Sequence, residues 1–360
     1  MPLVAHTSLP TFERLRQEGQ TVLEPERAVH QDIRELHIGL LNMMPDAALE
    51  ATERQFFRLV GESNQIAQFY IHLFTLKELA RGDEAKAHIA RHYQPLEEIQ
   101  RDGLDALIIS GANVTQPDLA KEPFWDPLIR VIDWAFAGVT STLCSCLTTH
   151  AVLQFRHGQR RRRLPEKRWG VFQHRIVDHG HPLVSGVNTR FDVPHSRYNE
   201  IGRDQFEAAG YRVLVESADA GVHLAVSADR FRLILLQGHP EYDTTSLLKE
   251  YKREVLLYAT GGRGDYPPFP ENYLRPQLQA VLNEHRRQVV AAKTRGAPIP
   301  EFPEELVAAG LDNTWHDTAE AVIENWIGKV YQITNQDRRL PFMPGVNPED
   351  PLGLKKRGGS

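Results

Sequence analysis

Cysteine is almost missing from this chain: 360 residues contain two, Cys144 and Cys146, inside the stretch TSTLCSCLTTHAV. They stand too close in sequence to bridge without strain, which excludes a disulfide framework and points to a reducing compartment, the cytoplasm. Also missing is any apolar run near the roughly 18 residues that a membrane span needs. With 41% hydrophobic and 25% charged residues, the composition is that of a soluble globular protein. The N-terminal MPLVAHTSLPTFERLRQEG has no basic region followed by an apolar one, so no export signal is expected. Nor does one sign of charge dominate. Lys and Arg number 42 against 47 Asp and Glu, a net charge of -5, which argues against a bulk nucleic-acid binder. No internal repeat is visible.

What is present is an alternation. LHIGLLNM, AQFYIHLFTL, LDALIISG and VTSTLCS read as buried strands rich in branched apolar residues. LEATERQFFRLVG, PFWDPLIRVIDWAF and CLTTHAVLQF between and after them carry helical spacing. Strands alternating with helices imply an α/β fold, a mostly parallel sheet with helices on both faces. YRVLVES, GVHLAVSA and FRLILLQG lie closer together and are expected to form an antiparallel edge of the same sheet. The proline-rich GRGDYPPFPENYLRP marks a boundary, followed by helices near 274–293 and 318–331. The expected organisation is an N-terminal arm over 1–35, a catalytic domain over 36–262, a helical extension over 263–340 packed on the same domain, and a poorly ordered Pro/Gly-rich tail over 341–360.

The two cysteines fall where a strand turns into a helix. Ligands of open α/β folds bind at that carboxyl edge of the sheet, and a helix N-terminus there favours a thiolate and offers free N–H groups to an oxyanion. Alternation along STLCSC puts both cysteines on one side of the strand, but only Cys146 reaches the turn. Cys146 is therefore the candidate nucleophile, and Cys144 reads as a small packed hydrophobe. Two buried structural cysteines remain the bland alternative. A metal site of Cys144, Cys146 and His150 lacks a second cysteine pair at finger-like spacing, so no metal is expected. A base for the nucleophile is offered by RLILLQGHPEYD, where the last apolar strand ends at Gly238 and presents His239 at the sheet edge. Glu241, two residues on, can orient the imidazole, completing a triad of Cys146, His239 and Glu241; the same HPEYD can also be a surface turn.

LNMMPD, TSTLCSC, VPHSRYNE and GHPEYD, in this order and at this spacing, resemble the homoserine transsuccinylase family, which O-acylates L-homoserine in methionine biosynthesis. The resemblance runs from LPTFERLRQEG to ENWIGKVYQIT and implies a class I glutamine-amidotransferase-like fold. It puts the acyl-thioester cysteine at Cys146, the base at His239 and the supporting glutamate at Glu241. It also implies substrate contacts from Lys167 of KRWGV, Ser196 of PHSRY and Arg253 of the helix after HPEYD. By its physical chemistry, Arg253 suits an amino-acid carboxylate, since a guanidinium binds it in two places. The four arginines at 160–163 can meet phosphates of coenzyme A or form a solvated loop.

The resemblance further implies no resident cofactor, acyl-CoA serving as co-substrate, and a homodimer without nucleic-acid or membrane partners. At Thr115, where acyl-donor specificity is set in such relatives, a small hydroxyl leaves room for a succinyl tail. This favours succinyl-CoA over acetyl-CoA, with homoserine or serine O-acetylation as the runner-up. A glutamine amidotransferase is the other alternative, although SCLTT lacks the flanking glycines of a G-x-C-x-G elbow.

Overall fold

A computed structural model describes residues 3–29, 33–63 and 67–355. It contains an eleven-stranded sheet: β1 (Leu3–Val4), β2 (Val22–Leu23), β3 (Glu35–Leu41), β4 (Gln68–Phe74), β5 (Ala106–Ile109), β6 (Ser141–Ser145), β7 (Arg162–Ile176), β8 (Arg190–Glu200), β9 (Arg212–Ser217), β10 (Gly221–Val226) and β11 (Leu233–Leu236). Their order across the sheet is β2-β1-β4-β3-β5-β6-β11-β10-β9-β7-β8. Every neighbouring pair from β2 to β11 is parallel, and every pair from β11 to β8 is antiparallel. The α/β expectation therefore holds, with one correction: FRLILLQG forms β11, which pairs parallel to β6 and only its far side joins the antiparallel edge.

Both faces of the parallel part are covered because successive side chains point opposite ways. Ile108 of β5, Leu143 of β6 and Ile234 and Leu236 of β11 enter one apolar cluster. Leu107 and Ile109 of β5, Cys144 of β6 and Leu233 and Leu235 of β11 enter the other. The expected helices form at Leu49–Glu62, Trp125–Gly138 and Leu147–His157, and the C-terminal ones at Pro276–Arg295 and His316–Ile333. The last of these packs Ile323, Trp326, Ile327 and Val330 into the first cluster. At roughly 1.5–3 kcal/mol for each large apolar side chain removed from water, this helix is a structural part of the core. The indole Nε1–H of Trp326 donates to Ser141 Oγ at 2.8 Å, so the one polar atom it buries is satisfied at the base of β6.

The ends of the chain depart from the expected division. The N-terminal arm adds β1 and β2 to the sheet, extending it beyond β4. The tail is anchored through much of its length: Thr140 Oγ1 donates to the Pro341 carbonyl, Met343 N to Ile333 O at 3.0 Å, and Asn335 Nδ2 to Phe342 O at 2.9 Å. Phe342 is buried and Leu354 N still bonds Asp350, while 356–360 lie outside the described residues. Hydrogen bonds together with the packing of Phe342 and Leu352 hold this proline-rich stretch, whose composition alone suggests disorder.

Candidate active site

β6 ends at Ser145, and the helix Leu147–His157 begins at once, leaving Cys146 to make the whole turn. Its backbone takes φ 47° and ψ -103°, a region that residues with a side chain rarely enter. Three bonds hold it there. Cys146 N donates to Leu236 O at 2.7 Å, while Thr149 Oγ1 bridges the carbonyls of Cys144 and Leu236 at 2.9 and 3.0 Å. Thr148 Oγ1 ties the same first turn to Ser110 O of the neighbouring strand end at 2.9 Å. The Cys146 amide is already used, whereas the first-turn N–H groups of Leu147 and Thr148 have no intrahelical acceptor and are among those free to meet an oxyanion. Cys144 is fully buried in the apolar cluster, and that burial pushes its thiol above the usual range. His150 bonds Gln237 Oε1 at 3.0 Å, away from any cysteine partner.

β11 delivers the base. Gly238 follows it because β8 passes so close that a Cβ there would lie 2.5 Å from Val193 Cγ1 and 2.9 Å from His195 Cε1. His239 N donates to Pro194 O at 2.8 Å, fixing the residue against β8. Its Nδ1 meets Glu241 Oε1 at 2.8 Å, and its ring stands close enough to Cys146 for the two to interact electrostatically. Burial opposes protonation of this imidazole. The charges of Glu241 and Cys146 outweigh that cost and hold it well above the ordinary histidine range. The three residues expected to act together thus stand side by side, His239 between the thiol and the glutamate that bonds it.

They open on a cavity of about 500 Å³ lined also by Gly111, Ser196, Glu250 and Arg253. A larger one, of about 720 Å³, lies beyond the Glu241–Asp243 turn and shares Arg54, Glu241 and Lys249, but Cys146 and His239 do not line it. The smaller cavity is the one with the chemistry. Glu250, which the sequence reading passed over, is its organising residue. Oε2 accepts from Ser196 Oγ at 2.7 Å and from Lys167 Nζ at 3.1 Å, and Oε1 accepts from Tyr242 OH at 2.9 Å. Burial alone would raise its pKa, but Lys167, Ser196 and Tyr242 together hold it below the usual glutamate range. Tyr242 in turn stacks on the His239 ring at 4.4 Å between centroids. Lys167 and Ser196 are therefore brought together through Glu250, the first from β7 and the second from β8.

Arg253 stands one turn beyond Glu250 on the helix Ser246–Ala259, its side chain 57% exposed and its nearest carboxylate, Glu254, at 3.8 Å. Thr115 is not brought to this cavity. It is exposed, its amide and hydroxyl turned to Glu122 at 2.6 and 3.4 Å, while Gly111, Ala112 and Asn113 of the same loop line the space. The donor argument built on Thr115 loses its geometric basis for that reason. The arginine run is also occupied: Arg160 faces Asp118 at 3.6 Å, Arg161 donates to Gln116 O at 2.8 Å, Arg162 pairs with Asp204 at 2.5 Å, and Arg163 covers the Tyr198 ring.

Fold and site together define an α/β protein with a cysteine at a strained strand-to-helix elbow, backed by a histidine and a glutamate. The chain belongs to the homoserine O-succinyltransferase family, whose sequence model matches residues 2–336. Proteins named homoserine O-succinyltransferase from Allochromatium vinosum and Nitrosococcus oceani are 69% and 67% identical to it, over 98% and 99% of this chain and 99% of each relative. Among solved structures, a glutamine amidotransferase from Thermotoga maritima covers 82% of this chain and 98% of its own at 10% identity, with a TM-score of 0.44. That likeness is too loose to carry an argument. No helix among the described residues is long and apolar enough to cross a membrane.

Proposed function

We propose that the protein transfers the succinyl group of succinyl-CoA to the hydroxyl of L-homoserine through a thioester on Cys146, the acylation step of homoserine in methionine biosynthesis. In the first half, the Cys146 thiolate attacks the donor's carbonyl carbon. The oxyanion is met by the first-turn amides of Leu147 and Thr148, and the carbon–sulfur bond to coenzyme A breaks as His239 gives its proton to the departing thiolate. In the second half, neutral His239 takes the proton of the homoserine hydroxyl while its oxygen attacks the enzyme thioester. The Cys146 thiolate leaves and the ester is released. Glu241 holds the imidazole in one orientation and stabilises its charged form between the two halves.

The convergence of Cys146, His239 and Glu241 on one cavity, with Glu241 bonded to the imidazole, is the observation that carries this reading. It is supported by the names of relatives two-thirds identical over nearly the whole chain. The test is incubation with L-homoserine and a mixture of succinyl-CoA and acetyl-CoA. The expected product is the O-succinyl ester, with one free coenzyme A thiol per ester formed. A preference for the acetyl ester would move the donor assignment, and ammonia released from glutamine without ester would replace the reaction class.

A further inference from the structure

We infer that His223 is a positioning residue for the base: its Nδ1 accepts the amide proton of Gly238 and so fixes the direction in which the next residue presents its ring to Cys146. This rests on the reading of His239 as the base. His223 stands on β10, beside β11, and the local backbone is built to aim it. Val222 pairs with Glu216 of β9 and Leu224 with Val215, so His223 is the extra residue of a β-bulge. Val222 and Leu224, two apart, consequently enter opposite apolar clusters. A bulge re-aims one side chain. Here the ring reaches the end of the neighbouring strand, where Gly238 N donates to His223 Nδ1 at 3.3 Å while the His223 carbonyl accepts from Gln237 N at 2.9 Å.

Gly238 needs such a hold. The close approach of β8 requires a glycine there, and a glycine leaves the backbone before His239 free in both dihedrals. Two consecutive amides remove that freedom: Gly238 N bonds His223, and His239 N bonds Pro194 O at 2.8 Å. Because peptide units are planar, fixing two in succession sets the direction of the His239 side chain. His195, the ring packed against Gly238, is locked by its own chain of bonds. Arg197 can only donate, so His195 Nδ1, 3.3 Å from Arg197 Nε, is bare; His195 Nε2 then donates to His174 Nε2 at 3.2 Å, and His174 Nδ1 donates to Phe172 O at 2.8 Å. Burial holds His174, His195 and His223 below the ordinary histidine range, which keeps on His223 the lone pair that the Gly238 amide uses.

The test reads the rate at which Cys146 is alkylated by iodoacetamide and, separately, acylated by succinyl-CoA without acceptor, in wild type, His223→Leu and His223→Asn. His223→Leu removes the acceptor and is expected to slow both reactions about tenfold or more, since small misplacements of a reacting group carry costs of that order. His223→Asn, whose amide oxygen can take the Gly238 proton, is expected to recover most of the loss. In a His239→Ala background His223→Leu should add little, because its effect passes through that ring. Wild-type rates in His223→Leu, equal losses in the leucine and asparagine variants, or losses that multiply in the double variant would each overturn the proposal. Should His223→Leu not fold, nitrogen NMR of the His223 ring in wild type decides: a proton on Nε2 with Nδ1 bare supports the proposal, and a proton on Nδ1 overturns it. A wild type that is alkylated yet takes no acyl group would sink the acyl-transfer reading and leave the alkylation comparison to decide on His223.

Discussion

Replacing Cys146 by alanine or by glycine removes the sulfur in both cases, yet the two variants should differ in stability in a direction opposite to the usual one. Alanine keeps the strain of φ 47° and ψ -103°, because that strain arises between a Cβ and the flanking carbonyls. It amounts to roughly 1–3 kcal/mol for a residue with a side chain in such a region. Glycine removes it and loses roughly 0.5–1 kcal/mol through the greater freedom of its unfolded backbone. Neither variant changes the bonds that clamp the elbow, since Cys146 contributes only its backbone N–H to them and Thr149 supplies the rest. The net expectation is that Cys146→Gly is more stable than Cys146→Ala by about 1 kcal/mol, both being inactive. Denaturant unfolding of the two proteins side by side, compared by midpoint at common slope, reads this difference. An alanine variant equal to or more stable than the glycine variant would refute the claim that the fold holds its nucleophile under strain.

Cys146→Ser should abolish turnover, and Cys144→Ser should retain most of it while losing stability, because a hydroxyl without a partner is placed in the apolar cluster; loss of activity in Cys144→Ser with a folded protein would reverse the assignment of the two thiols. Arg253→Lys should raise the KM for L-homoserine more than that for the donor, since a point charge replaces a two-pronged fork. In Glu241→Gln the carboxylate that favours the imidazolium is gone, so the His239 ring loses its proton at lower pH and the alkaline limb of donor-only acylation should move down; a limb that stays in place removes Glu241 from the site's electrostatics. Burial holds His174 and His181 down to about 4, below the 6.5 of an unfolded histidine, so the unfolded chain binds more protons between those values. Stability present above pH 6.5 should fall as pH drops toward 4, and a melting temperature flat across that window would contradict it.

The parallel core was legible because its strands are apolar runs bounded by glycine, and Cys146 because, of the two thiols at the strand-to-helix junction, only it reaches the turn. His239 and Glu241 were legible because HPEYD follows directly on the last such run. The strand β7, next to the edge strand β8, was not: RRLPEKRWGVFQHRI begins with charges and a proline, and its first half has no alternation to read. β1 and β2, at two residues each, fall below any periodicity window. Lys167 and Ser196 came from the family resemblance alone, since they stand on strands that meet only in space. Glu250 was missed because LLKEYKREV reads as a helix with a charged outer face. The signal was there in the spacing: Glu250 stands three residues before Arg253 and eight after Tyr242, on the helix that follows HPEYD. Thr115 shows the opposite error, a position inferred from a resemblance that the loop's bonding to Glu122 turns away from the cavity.

The central claim, that Cys146 carries the acyl group, is tested most directly by intact-protein mass measurement after brief exposure to succinyl-CoA with no acceptor present. The account predicts one added succinyl group, located on Cys146 by peptide mapping, absent in Cys146→Ser, and discharged on addition of L-homoserine as the O-succinyl ester. A protein that forms the ester at full rate without ever gaining that mass, or that carries the label on another residue, would contradict it.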